Sequence, residues 1–153
     1  VPHLAGLVLL SASGLDPREA GALQARRRGV EADWTALGQV VHGAPHDSAV
    51  LQGRSLGYWR DVWNWQLTLP LLQGPWPLLQ VWGSDDELVP PAAYERFAQL
   101  AAGRTAPFCS QRMSGADHGL QRPAAGIDGI QQVWAWTEQW ARKPQAGLCG
   151  ALP

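Results

Sequence analysis

PLLQVWGSDDELVPPAAYERFAQLAAG, residues 77–103, is the stretch from which the fold can be read. Its first seven residues, 77–83, are an almost unbroken apolar run, the pattern of a parallel strand covered on both faces. The loop GSDDELVP, residues 83–90, follows and ends in proline. Pro90 and Pro91 suit a helix start, because the first turn leaves its N–H groups unpaired and proline has none to lose. Tyr94, Phe97, Leu100 and Ala101 then share one helical face, and Gly103 marks the stop. A strand, an acidic loop and a helix whose apolar face should lie on the sheet therefore come in sequence.

Two further segments read as strands: AGLVLLSA, residues 5–12, and APFCSQRM, residues 106–113. The first is apolar throughout, whereas Ser110, Gln111 and Arg112 make the second an edge strand open to water. A last helix is expected over 126–142, with Ile130, Val133, Trp134, Thr137 and Trp140 at helical spacing. Strands alternating with helices give an α/β fold, a parallel sheet in a three-layer α/β/α arrangement. Residues 1–142 then form one partial domain, and the Pro- and Gly-rich tail, 143–153, is expected to be disordered.

Residues 14–74 are longer than a simple crossover between neighbouring parallel strands requires, so they should form a helical cap over one end of the sheet. Two helical stretches are expected in it, 17–42 and 48–65. Trp59, Trp63, Trp65 and Trp76 fall in or near the second; packing of the cap against the sheet explains them better than stacking on a substrate.

With 153 residues, 46% hydrophobic and 16% charged, the chain can bury a core. A formal net charge of −1 excludes a field strong enough to gather nucleic acid or an anionic membrane, and the basic run Arg26, Arg27, Arg28 reads as a solvated helix face. No stretch approaches the ~20 apolar residues of a membrane-spanning helix. Cys109 and Cys149 sit in no metal-ligand spacing; two reduced thiols in a cytoplasmic protein are the expectation, with a single bridge left open. His42 and His46 are four apart, but Gly43 and Pro45 break the helix that would bring them together, so no metal or cofactor is expected.

The chemistry lies in two loops. GSDDELVP follows the second strand, and SGADHGL, residues 114–120, follows the third. Functional groups of open α/β sheets collect at the carboxyl ends of strands. A histidine acting as general base needs a carboxylate on its other ring nitrogen, to fix the tautomer and stabilise the imidazolium. Asp86 and His118 supply the two groups, with Gly115 and Gly119 letting the histidine loop turn sharply. Alone, Asp86 would be read as capping the helix that begins near Pro90 and His118 as an ordinary loop residue; Asp85 reads as a turn residue and Asp117 as a neighbour of the histidine.

A strand closing in G-x-x-D-x-x-V-P, followed about thirty residues later by G-x-D-H-G, resembles the acid and histidine segments of α/β-hydrolases. Gly83, Asp86, Val89 and Pro90 align on the first pattern and His118 on the second. The resemblance covers residues 5–142, specifically at the two loops and loosely in the cap. It implies the C-terminal part of a parallel hydrolase sheet with a helical cap insertion, and a serine hydrolase cleaving an ester, thioester or amide through an acyl-enzyme. Asp86 and His118 would be its acid and base, and a small-molecule acyl compound its substrate.

The family places its nucleophile at a G-x-S-x-G elbow between a strand and a helix. GRSLG, residues 53–57, centres on Ser55 and precedes Asp86 and His118, but it falls inside the cap with almost no strand before it. Ser11 and Ser13 follow a strand but lack the glycines. The nucleophile and the oxyanion hole are therefore expected upstream of Val1, and the chain is read as a piece of a longer reading frame. The first strand would then lack a neighbour, and its edge should pair with the N-terminal half or with another chain. The rival from another class is a non-catalytic hydrolase-like module that binds through its Trp-rich cap and keeps the two residues for structure.

Overall fold

The computed structural model describes residues 4–43, 46–126 and 128–144. Three parallel strands form its sheet: β1 (Leu7–Leu10), then β4 (Leu78–Gly83), then β5 (Phe108–Met113), with β4 in the centre. All six residues of β4 are buried, as its apolar run requires. Alternation along the strands divides the core in two. Leu79, Val81, Cys109 and Met113 pack against Val133, Trp136 and Trp140 of α6 (Gly129–Arg142) on one face. Leu78 packs with Ala93, Phe97 and Ala101 of α5 (Pro91–Ala101) on the other. Each fully buried side chain of this size contributes about 1.5–3 kcal/mol, so the helices are held mainly by these two faces.

The helix starts obey local chemistry. Pro91 stands in the first turn of α5. Asp128 caps α6 through a side-chain bond from the Ile130 N–H at 2.9 Å, and the turn before it, Pro123–Ala125, is 3-10. The helix expected from residue 126 thus starts at Gly129, behind its cap. Lys143 and Pro144 close the described chain; the rest of the tail read as disordered lies outside the described residues, as does Cys149. Cys109 is disulfide-bonded, which corrects the expectation of a reduced thiol at that position. No helix among the described residues is long and apolar enough to cross a membrane.

The insertion differs from its expected form. Instead of one helix over 17–42, there are α1 (Pro17–Arg28) and α2 (Glu31–Gly43), because Gly29 takes a left-handed φ of 69° and its N–H closes on the Ala25 and Arg26 carbonyls. In the second stretch, β2 (Val50–Leu51) and β3 (Arg54–Ser55) form a two-stranded hairpin ahead of α3 (Leu56–Asn64). Gln52 and Gly53, the turn residues, both have positive φ, 50° and 75°, the feature of a tight two-residue hairpin loop. A short α4 (Thr68–Gln73) returns the chain to β4. Asp16 fastens the two limbs of the insertion, its Oδ1 accepting from the N–H groups of Leu67 at 2.6 Å and Thr68 at 2.8 Å.

Trp59 and Trp63, expected to pack the cap against the sheet, pack within the insertion instead. Trp34 and Trp63 stack at 4.8 Å, and with Leu37 and Val41 they build a third apolar cluster, flanked by Trp59. Gly38 is required there, since a Cβ would strike the Trp63 ring. Trp65 is exposed.

Candidate active site

Three strand ends converge. Ser11 follows β1, Asp86 lies in the loop after β4, and His118 in the loop after β5. All are at the carboxyl edge of the parallel sheet, where the side chains of successive loops can meet. Gly83 makes the meeting possible: a Cβ on it would fall on the carbonyl oxygens of Ala116 and Asp117. The two loops are then bonded directly, the Asp85 N–H donating to the Ala116 carbonyl at 2.9 Å and the Gly115 N–H to the Ser84 hydroxyl at 2.8 Å. Gly115 has the positive φ expected of a turn glycine, 70°, but the second left-handed residue of the histidine loop is Leu120, φ 60°, and not Gly119.

Asp86 and His118 are in contact. His118 Nδ1 lies 2.9 Å from Asp86 Oδ2, and the carboxylate is fully buried while the imidazole is 41% exposed. The other oxygen, Oδ1, accepts from the N–H groups of Leu88 at 2.8 Å and Val89 at 2.9 Å, tying down the turn that leads into α5. Asp86 does not cap α5, whose start carries no side-chain cap bond; its Oδ1 closes the turn ahead of that helix, and Oδ2 faces the histidine. Burial pushes the Asp86 carboxyl up, but hydrogen bonds from Tyr94, the Val89 N–H, His118 and the Leu88 N–H outweigh it and hold the carboxyl below its ordinary value. An ionised carboxylate only accepts, so Nδ1 carries the proton and the Nε2 of the neutral ring is left as an acceptor.

Five residues that sequence reading did not assign to the site touch its two loops. The buried Tyr94 hydroxyl donates to Asp86 Oδ2 at 2.6 Å. The Ser11 hydroxyl, buried and with a left-handed φ of 48°, donates to the backbone carbonyl of His118 at 2.6 Å. Arg27 Nη1 donates to the Asp86 carbonyl oxygen at 2.6 Å, while Gln24 Nε2 and Arg28 Nη2 reach the Glu87 carbonyl at 2.7 and 3.3 Å. The basic run is exposed, as a solvated face would be, yet two of its three guanidinium groups clamp the acid loop. Tyr94 was visible only as part of an apolar stripe, which says nothing about where a hydroxyl points.

The serine candidates are placed elsewhere or otherwise engaged. Ser55 is exposed and caps α3, its hydroxyl accepting from the Tyr58 N–H at 3.1 Å, so the GRSLG string is accounted for by a hairpin turn and a helix cap. Ser13 Oγ accepts from the Leu15 N–H at 3.2 Å. His42 packs edge-on against Trp63 at 6.3 Å, and no group of three or more potential metal ligands occurs among the described residues.

A cavity of about 390 Å³ opens beside His118, lined by Asp85, Glu87, Leu88, Asp117 and Pro123 among others. A larger groove of about 700 Å³ runs along Trp34, Gly38, His42 and Trp63 and shares no lining residue with it. No family model matches the chain, and no curated protein matches it.

Proposed function

We propose that this chain is the acid-and-histidine part of a serine hydrolase with an α/β-hydrolase sheet, acting on an ester, thioester or amide of a small acyl compound. The observation that carries the reading is the Nδ1-to-Oδ2 contact of 2.9 Å between His118 and a fully buried Asp86. Asp86 holds the imidazole in the tautomer that leaves Nε2 free to accept a proton. His118 takes that proton from a serine hydroxyl as it attacks the carbonyl, and returns it to the leaving group. The nucleophile and the oxyanion hole come from residues upstream of Val1. Residues 14–74 act as the cap, and α1 links it to the acid loop through Arg27.

Partners follow from the same reading: the N-terminal half, or another chain, pairs with the open edge of β1. The cytoplasmic location expected from reduced thiols loses its premise at Cys109, since disulfides persist mainly in oxidising compartments. The rival reading, a non-catalytic binding module, draws support from Asp86 Oδ1, whose bonds to Leu88 and Val89 serve the loop without any reaction. Mixing the chain with a separately supplied N-terminal half and measuring hydrolysis of a p-nitrophenyl ester separates the two. Turnover that disappears in His118→Ala supports the hydrolase; a folded mixture without turnover supports the rival.

A further inference from the structure

We propose that Tyr94 is a positioning residue for the Asp86 and His118 pair: it shares Oδ2 of the carboxylate with the imidazole and thereby sets both the place and the acceptor strength of that oxygen. The inference rests on the hydrolase reading for its purpose, although the contacts themselves do not depend on it.

Tyr94 belongs to the first turn of α5, whose start is set by Pro91, and it is fully buried. Its ring stacks on Trp82 of β4, centroids 4.9 Å apart and planes within 8° of parallel. Trp82 is itself held by a bond from its Nε1 to the Ser110 hydroxyl at 3.1 Å, and the Arg112 guanidinium lies 5.8 Å from its ring. The phenol is thus pinned by two strands before its hydroxyl reaches the carboxylate. At 2.6 Å from Oδ2, against 2.9 Å for His118 Nδ1, it is the closer donor. A purely apolar face would have been satisfied by phenylalanine, which fills the same space without a hydroxyl to partner.

The effect on the pair has a definite sign. A phenol donating to a carboxylate in a dry site withdraws electron density from it. Oδ2 then stays ionised and becomes a weaker acceptor for Nδ1–H. The phenol does not compete for the charge, since burial and the adjacent Asp86 carboxylate raise its own pKa far above the ordinary tyrosine value. The other charged groups near the carboxylate make no hydrogen bond to Oδ2 among the described residues. Arg27 is bonded to the Asp86 main-chain oxygen, Asp117 Oδ1 accepts from the Gln121 N–H, Asp85 Oδ1 accepts from the Ser84 hydroxyl, and Glu87 is exposed. Tyr94 is therefore the group through which the acceptor strength of Oδ2 can be changed alone.

Magic-angle-spinning NMR of the isotope-labelled chain reads this whether the chain is monomeric or associated, and without turnover. In Tyr94→Phe the His118 Nδ1–H proton is expected to move downfield and the Asp86 carboxyl titration to move up toward the ordinary range. Replacing tyrosine by 3-fluorotyrosine in a Tyr58→Phe background leaves Tyr94 as the only labelled site and makes its hydroxyl a stronger donor. Both signals should then move the opposite way, and this variant keeps the ring should Tyr94→Phe fold poorly. A lowered melting temperature with both signals unmoved, or shifts of the same sign in the two variants, would overturn the proposal. Absence of ester hydrolysis in the reconstituted mixture would count against the hydrolase reading and leave these shifts unaffected.

Discussion

Ser11 holds His118 by its main chain: the serine hydroxyl at the end of β1 donates to the histidine carbonyl 107 residues away, at 2.6 Å. The left-handed φ of 48° at Ser11 is uncommon for a residue with a side chain, and it occurs where the first strand is fastened to the histidine loop.

Ser11→Ala removes that bond and leaves the carbonyl of His118 without this donor. A loss of about 1 kcal/mol in denaturant unfolding is expected, with faster amide exchange confined mainly to residues 115–120. Exchange at those amides equal to wild type would show that the bond does not restrain the loop.

Gly83→Ala places a methyl on the Ala116 and Asp117 carbonyls, which are backbone and cannot step aside cheaply. The expected cost is about 1–3 kcal/mol, together with separation of the acid and histidine loops. Unfolding free energy reads the first, and loss of the Nδ1–H signal of His118 the second. A variant as stable as wild type with that signal intact would contradict the close approach.

Acid should destabilise the chain through Asp86 and Asp16. Burial pushes both carboxyls up, but hydrogen bonds outweigh it: from Tyr94, Val89, His118 and Leu88 at Asp86, and from Thr68 and Leu67 at Asp16, where Arg18 also helps. Both native values therefore lie below the unfolded value of about 4. Their stabilisation is complete above about pH 4–5 and is lost as pH falls through the native values. Denaturant midpoints measured downward from about pH 6 should fall, and fall less steeply in Asp86→Asn and Asp16→Asn. Slopes identical to wild type in both variants would exclude these groups as the cause.

The edge of β1 should govern association. Among the described residues β1 pairs only with β4, and Leu10 is 42% exposed. Concentration-dependent oligomers are expected in sedimentation, reduced by Leu10→Lys, since an edge lysine opposes strand pairing. A monodisperse monomer with a sharp melt would contradict this.

The strands, α5 and the Asp86 and His118 pair were legible because each writes a local pattern: a doubly buried apolar run, prolines before an apolar stripe, an acid and a histidine after successive strands. The break at Gly29 was also written, as a basic last turn followed by glycine, but the apolar residues resuming in α2 concealed it. The hairpin around Gln52 and Gly53 was not legible, because only Gly53 is a typical turn residue and the strands are two residues each. Its turn glycine and the Ser55 helix cap together mimicked a nucleophile motif. Ser11 and Arg27 reach the site through contacts between residues far apart in sequence, which periodicity does not encode, and Tyr94, eight residues beyond Asp86, was hidden in the apolar stripe of α5.

The most direct test is the labelling rate of a fluorophosphonate probe on the reading frame expressed from upstream of Val1 together with this chain. Labelling of a serine upstream of Val1 is expected, slowed about 10²–10⁴-fold in His118→Ala and unchanged in Ser55→Ala. Labelling that proceeds at the wild-type rate without His118, or that vanishes with Ser55, would contradict the assignment of His118 as the base for an upstream serine.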